Sequence, residues 1–487
     1  MTPTKGTTVS WPTQQDTRTA LDNGLPPHSG IDHVVIVGAG LAGLGAAYEL
    51  TKRGTRVTVL EASDHPGGRT RTLRAPFADG LQAEAGALTV TNHCDDYTVH
   101  YLREMGVETE PSDLVGTDFS YYRDGTRIRP DQTADHAALL GLHPHERDLT
   151  IEEMVARYVT KPNKDIGPEI LAPVWSLSPR LLELDQLSVR EVLEARGASA
   201  AAISLIEPYF LEMRGNELGT ASAMAWARYE SGPWALSTAG ADWRKIQGGT
   251  DMLARALADK VADHVLYRAP VVRIAQDDHE VRVTFLDRNR LQTLTADRVI
   301  VTAPFAGIRH INLGMARLSP EKHATMRRMR YASATRVFLQ MRRQFWPEKQ
   351  LMLSTDGPVR AVRDAMPLRP AGRKILECWF SGWSAQAVAT MGPEERIDFA
   401  LDEVEPLLPG TRANFELGTS FSWDNERYIG GAYVLPELGH HALMEPARRP
   451  EGRIHFAGEH TSYEPNGGSM NYALESAVRV LLELSGS

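Results

Sequence analysis

The sequence predicts an α/β fold in which a parallel sheet is assembled from both ends of the chain, a second, mixed sheet stands beside it, and a mostly helical insertion lies between. Three observations predict it. A β-branched run, His33-Val34-Val35-Ile36-Val37, leads through a glycine turn into a helix and a second strand. Toward the other end, Arg453-Ile454-His455-Phe456 runs into Gly458-Glu459 and then a helix. Between them, helical periodicity from Asp131 to Arg244 gives way to alternating, strand-like segments.

A chain of 487 residues, 42% of them hydrophobic, exceeds the needs of one small core, so two or three packed lobes are expected. The formal charge of -9 is spread without long blocks, which argues against nucleic acid as a partner. Two widely spaced cysteines, Cys94 and Cys378, make neither a disulfide framework nor a zinc site. No metal is therefore expected, and a reducing cytoplasm is the simplest compartment. Residues 1–31 read as a polar N-terminal extension without the apolar core of a signal peptide. No apolar run reaches the ~20 residues that span a bilayer, so no membrane partner is expected.

In chain order, the buried run from His33 to Val37 reads as a parallel strand, Leu41 to Arg53 as a helix closed by Gly54, and Arg56-Val57-Thr58-Val59-Leu60 as a second parallel strand. Ile151 to Tyr158 typifies the helical insertion. Strand signals return at Pro270–Ile274, Val281–Phe285 and Arg298–Thr302. Alternation through Arg336–Gln340 and Leu376–Phe380 predicts a second, more antiparallel sheet.

Gly38-Ala39-Gly40-Leu41-Ala42-Gly43 is G-x-G-x-x-G between a strand and a helix. The first glycine permits the turn, the second admits a diphosphate close to backbone, and the third lets helix and strand touch. The helix end offers unpaired N–H groups to phosphate oxygens. Glu61 closes the next strand, where a carboxylate can accept from ribose hydroxyls. The plain alternative is a glycine turn beside a surface glutamate. Gly67-Gly68-Arg69-Thr70 adds further backbone donors and a guanidinium. Nicotinamide sites do not need that second glycine pair, which turns the reading toward a flavin dinucleotide in a Rossmann-like domain. At the back, Phe456-Ala457-Gly458-Glu459 and the helix from Met470 to Leu484 would set a positive helix end beside the negative charge of a reduced flavin.

Taken together, these pieces resemble the flavin amine oxidase superfamily of monoamine, polyamine and L-amino acid oxidases. The resemblance also rests on Glu84-Ala85-Gly86-Ala87, Gln247 to Leu253, Ala303-Pro304, Trp423 through Gly430-Gly431-Ala432-Tyr433, and Phe456 through Thr461, in the family's order. The leader Leu21-Asp22-Asn23-Gly24-Leu25 looks most like bacterial L-amino acid oxidases. The resemblance implies an FAD-binding domain from 32–95, 240–310 and 420–487, a substrate domain from 96–130 and 311–419, and a helical insertion at 131–239. Expected cofactor contacts are Gly38, Gly40, Leu41, Ala42, Gly43, Glu61, Ala62, Gly68, Arg69, Gly86, Ala87, Leu88, Val272, Trp423, Gly458, Glu459, Ser469 and Met470. Val272 would hold the adenine through its backbone, Arg69 the diphosphate, Glu459 the ribitol and Met470 the pyrimidine edge. Ala432 stands where monoamine oxidases have a flavin-linked cysteine, so FAD is expected to be non-covalent.

The implied chemistry is loss of hydride from an amine's α C–H to flavin N5, an imine product, and reoxidation by dioxygen to peroxide. The expected catalytic set is Arg336, Tyr433, Glu84 and Ser469. Tyr433 matches one aromatic wall, whereas Ser469 stands at the other and leaves it wider and more polar. Arg336 aligns with the family lysine. Being always protonated, it orders a water or binds a carboxylate or carbonyl, or else it is an inter-strand ion-pair partner. Thr89 replaces the arginine that clamps the carboxylate in L-amino acid oxidases, which puts a simple amino acid substrate in question. Glu84 is either a base or ammonium anchor, or structural. His93 and Cys94 are more simply packed or solvated, and Trp226, Tyr229, Trp234 and Trp243 either line the pocket or belong to the core. The substrate is thus an amine, amino acid or amide, with dioxygen as co-substrate and a homodimer as a family tendency. Alternatives are a tailoring oxidase of larger bacterial natural products, a C–C desaturase on the same frame, and a flavin-bound interaction protein without turnover.

Overall fold

Five short strands pair in parallel in the computed structural model, in the order Val265–Leu266, Arg56–Leu60, His33–Val37, Arg298–Val301 and Ile454–Phe456. The structure describes residues 12–486, apart from 28–29, 93, 113–118, 124, 130–131, 133–134, 136–139, 173–176, 216, 232–241, 348–350, 367–368, 370–371 and 463–467. All five residues of His33–Val37 are buried, because each face of this central strand meets a different core. Val34 and Ile36 pack among helices that include Leu41–Lys52 and Met470–Ser485. Val35 and Val37 pack against Val281, Val283 and Phe285 of a four-stranded sheet. A continuous aliphatic run, rather than an alternating one, is what a strand covered on both faces requires.

That second sheet runs Arg290–Ala296, Val281–Asp287, Val271–Gln276, Asn312–Met315. A third, seven-stranded sheet runs Phe415–Ser422, Ala334–Met341, Lys374–Ser381, Ala361–Asp364, Met352–Thr355, Phe119–Arg123, Thr126–Ile128. It is antiparallel except where Met352–Thr355 joins Phe119–Arg123. Its two central strands, Ala334–Met341 and Lys374–Ser381, are buried throughout. Helices such as Ile151–Val155, Ala200–Arg214 and Ala223–Ser231 form a further layer, with Met154, Tyr158, Leu193, Ile203 and Trp226 in their own core. The α/β class and the mixed sheet therefore match the sequence reading.

The N-terminal extension holds more structure than its composition suggests. Helix Gln14–Asn23 starts with a Thr13/Asp16 capping box and buries Thr17, whose hydroxyl lies 2.6 Å from that of Tyr97. Among the described residues, no helix is long and apolar enough to cross a membrane.

Two glycines set how tightly helix Leu41–Lys52 seats. A Cβ on Gly43 would lie 2.0 Å from the Gly38 carbonyl oxygen, and one on Gly45 would lie 3.1 Å from Leu474. Gly43→Ala is therefore expected to cost about 1–3 kcal/mol or more through overpacking. A Cβ on Gly219 would meet nothing within 4 Å, so Gly219→Ala should be near neutral. Urea denaturation of both variants checks this, and equal midpoints would contradict the packing argument.

Candidate active site

The carboxyl ends of the parallel strands open on a cavity of about 450 Å³, lined by residues from both ends of the chain. At one end stand Gly38, Gly40, Leu41, Ala42 and Gly68, with Glu61 and Ala62 beside them. Gly40 caps helix Leu41–Lys52 without any side-chain hydrogen bond. With Leu41 and Ala42 on the cavity wall, the first-turn N–H groups stand where a diphosphate needs donors. The Glu61 carboxylate accepts from Ala39 N at 2.6 Å and Ser63 N at 2.8 Å, so it stays fixed at the strand end.

Arg69 and Glu459 meet across the cavity wall. Arg69 Nη1 donates to Glu459 Oε1 at 2.7 Å and to the Ala432 carbonyl at 3.2 Å. Val434 N and Gly468 N also donate to the Glu459 carboxylate, each at 3.2 Å. The sequence reading gave these residues separate ligands, diphosphate and ribitol. The structure pairs them with each other, so Glu459 first neutralises and holds Arg69. Both line the cavity.

At the other end, Gly86, Ala87 and Leu88 pass directly against the Arg69 segment. A Cβ on Gly86 would lie 1.9 Å from the Arg69 carbonyl oxygen. Trp423 Nε1 donates to the Ala85 carbonyl at 2.8 Å and its ring meets Phe421 edge-on. Tyr433 fits because Gly215 and Gly468 leave room: a Cβ on either would lie 2.8 Å from the hydroxyl or 3.0 Å from the ring, respectively. Ser469 lines the cavity, but its hydroxyl accepts from Asn471 N at 3.1 Å as the cap of helix Met470–Ser485. Gly458 and Met470 complete this wall.

Arg336 enters from the seven-stranded sheet. It is 6% exposed and lines the cavity. Its guanidinium lies 4.6 Å from the Trp379 ring centre, its Nη1 donates to the Glu84 carbonyl, and its Nε stands 3.4 Å from Glu377. Arg363 grips the same Glu377 with two bonds, at 2.9 and 2.7 Å. Burial alone would raise the Glu377 carboxyl, but the charges of Arg363 and Arg336 and the Arg363 hydrogen bond hold it below its ordinary value. Arg336 is thus an inter-strand ion-pair partner that also lines the cavity.

Three expected residues do not line the cavity. Gly43 sits behind the turn, where it packs against Gly38. Val271 lines the cavity and Val272, next to it on the strand, does not; the contact expected of Val272 is through its backbone, which the side-chain face leaves open. Glu84 does not line it either. Strand Ala83–Glu84 pairs with Thr72–Leu73, which turns the carboxylate toward Thr72 and Thr250. It accepts from their hydroxyls at 2.9 and 2.7 Å and from Thr250 N at 3.2 Å. The Glu84 carboxylate, expected as a base or ammonium anchor or as structural, thus faces Thr72 and Thr250 rather than the cavity, and its backbone carbonyl holds Arg336.

Of the four aromatic candidates, Tyr229 and Trp243 line the cavity, Trp226 belongs to the helical core, and Trp234 lies outside the described residues, as do His93 and Gly467. Cys94 lines the cavity beside Thr91, and burial pushes its thiol up to about 11. The sequence reading missed Arg363, Glu377 and Trp379. Their signal is a charged or aromatic residue at alternate positions of an otherwise apolar strand, as in Leu376-Glu377-Cys378-Trp379-Phe380.

Residues 41–480 match the family described as flavin containing amine oxidoreductase. Among curated relatives, YobN of Bacillus subtilis (strain 168) is 27% identical over 95% of this chain and 96% of its own length. The L-amino-acid oxidase of Mus musculus is 28% identical over 94% of this chain and 72% of its own. Among solved structures, cyclohexylamine oxidase from Brevibacterium oxydans IH-35A shares the fold with a TM-score of 0.77 and 23% identity, over 94% of this chain and 99% of that one.

The Glu84 environment has a pH consequence. Burial, opposed by hydrogen bonds from Thr250 and Thr72, pushes its carboxyl up to about 7. The folded protein therefore holds a proton that the unfolded chain has lost, and this contribution to stability falls as pH rises from about 4.5 to 7. Integrated over that window it amounts to roughly 3 kcal/mol. Glu84→Gln should abolish this term, so its stability relative to wild type should grow between pH 5 and pH 8. Urea denaturation at both pH values measures it; a constant difference would contradict the buried-acid assignment.

Proposed function

Because the chain belongs to the flavin containing amine oxidoreductase family, we propose that it is an FAD-dependent oxidase of an amine or amino-acid-like substrate. One observation carries the reading: the glycine turn with Glu61 and the Arg336–Trp423–Tyr433 end line one continuous cavity. The residues present fit the dinucleotide. The uncapped helix end at Gly40 offers N–H donors for its diphosphate, Glu61 an acceptor for its ribose, and the Met470 helix end a positive edge for its ring. Non-covalent binding is supported by Ala432, and by Cys94 being the one cysteine among the described lining residues, with a thiol held protonated by burial.

FAD supplies, when bound, the acceptor for the hydride of the α C–H, with an imine as product and dioxygen as the final oxidant. The protein's part is orientation and exclusion of water. Tyr433 supplies one aromatic wall beside which a neutral amine can lie, and Trp423 and Leu88 line the same cavity. Arg336 keeps its charge throughout and takes up no proton. The reading extends to a cytoplasmic location, a homodimer, and no nucleic-acid or membrane partner. A tailoring oxidase of a larger amine or amide is a second reading, favoured by the small polar Thr89 and Ser469 on the lining.

Purified protein should be yellow, and acid precipitation should release FAD into the supernatant; flavin retained by the pellet would exclude the non-covalent site. Anaerobic mixing with amino acids, amines and amides should bleach the flavin with one class, and air should restore the colour with release of peroxide. Bleaching by none of them would overturn the amine-oxidase reading.

A further inference from the structure

Cations and acids are unevenly placed on the cavity wall. Arg69 is held by Glu459, and Asp95 stands on the loop side with Thr89. The sheet side carries Arg336 and Arg363, which share Glu377. Register explains the grouping. Arg336 lies opposite Trp379, and Glu377 lies opposite Arg363 and Phe338, so one sheet face gathers both guanidiniums, the carboxylate and the indole. Glu377 gives Arg363 a two-pronged contact and Arg336 only the 3.4 Å approach. Arg336 Nε makes no hydrogen bond, and among the described residues none accepts one from its Nη2. A guanidinium only 6% exposed, seated on an indole and facing a mainly apolar cavity, is a desolvated cation with donors still to be satisfied. Such a group binds an anion strongly, because the ligand restores what burial removed.

We propose that the substrate carries a carboxylate and that Arg336, oriented by Glu377 and backed by Arg363, receives it. The proposal rests on the amine-oxidase reading and narrows its substrate class to amines that bear an anionic group. The clamp then stands on the sheet wall rather than on the loop at Thr89. An α-amino acid held this way has its carboxylate fixed on rigid strands, and its amino carbon directed toward Trp423 and Tyr433. Arg336 is a specificity residue in this scheme, and Glu377 and Arg363 position it.

The test uses the cofactor-loaded enzyme and benzoate as a simple carboxylate probe, followed by its perturbation of the visible flavin spectrum. Wild type should bind benzoate saturably. Arg336→Gln should weaken it about tenfold to a hundredfold, the loss expected for a charged hydrogen-bonding partner. This variant leaves Glu377 with both Arg363 bonds, so no buried carboxylate is orphaned. Arg336→Lys, which keeps the charge and loses the fork, should retain part of the affinity and serves if the glutamine variant does not fold. In turnover, Arg336→Gln should raise KM for an amino acid while leaving KM for the decarboxylated amine unchanged. Benzoate binding unaltered by either substitution, or equal losses for amino acid and amine, would overturn the clamp. If no amine or amino acid bleaches the flavin, the amine-oxidase reading fails, and the benzoate titration still decides whether Arg336 receives anions.

Discussion

The contact on which the site depends is the ion pair between Arg69 and Glu459, residues separated by 390 positions and held 2.7 Å apart. It exists because the parallel sheet places Ile454–Phe456 two strands from His33–Val37, with all carboxyl ends on one edge. The loop that follows Arg56–Leu60 and the turn that follows Ile454–Phe456 must then meet above that edge. A nearly buried carboxylate there is costly unless compensated, and three donors from three segments compensate it: Arg69, Val434 N and Gly468 N. One carboxylate thereby ties the front loop, the Ala432–Val434 segment and the approach to the last helix. Loss of either charge would leave the other without its charge partner, which is more costly than never burying the pair.

The sheet wall follows a different logic. Arg336, Glu377 and Arg363 lie on buried strands, where an aliphatic side chain would pack at less expense. Local rules that favour a dry sheet core are broken at these positions, as they are where function requires it. The cation is not left to float. Trp379 supports it from below, the Glu84 carbonyl holds one nitrogen, and Glu377 stands at another. The neutral Gly86 backbone passes between this wall and Arg69, and a Cβ there would collide with the Arg69 carbonyl. The two halves of the cavity are consequently in contact through the backbone from Glu84 to Gly86 and the side chains that bind it.

What the sequence made legible was whatever the backbone constrains locally. A strand, a turn that only glycine can make, and an acidic residue at the next strand end stand within thirty residues, and that chemistry can be read before any register is known. Gly38, Gly40, Glu61, Gly68 and Arg69 all reached the cavity for that reason. The direction of the Glu84 side chain was not legible in the same way, because a single step along a strand reverses the face it presents. Arg363, Glu377 and Trp379 were illegible because three strands must be registered before they become neighbours. The helix at Gln14–Asn23 was readable in principle from Thr13 and Asp16, but the polar composition around it concealed the capping box.

The contrast between the two ends of the cavity has a physical origin. At the diphosphate end the fit is made by main chain: an added methyl at Gly43 would meet a carbonyl oxygen at 2.0 Å, and no rotation of a side chain relieves that. At the substrate end the fit is made by side chains, which can be exchanged between walls provided the charge arrives at the same place. A loop guanidinium absent at Thr89 and a sheet guanidinium present at Arg336 are two ways of putting a cation into one cavity. They differ in stiffness. A loop cation moves with its loop, whereas Arg336 is fixed by a strand hydrogen-bonded on both sides, a shared carboxylate and an aromatic floor. The stiffer arrangement gives up tolerance for orientation, since a ligand that cannot meet the guanidinium in its set direction leaves a buried cation unsatisfied.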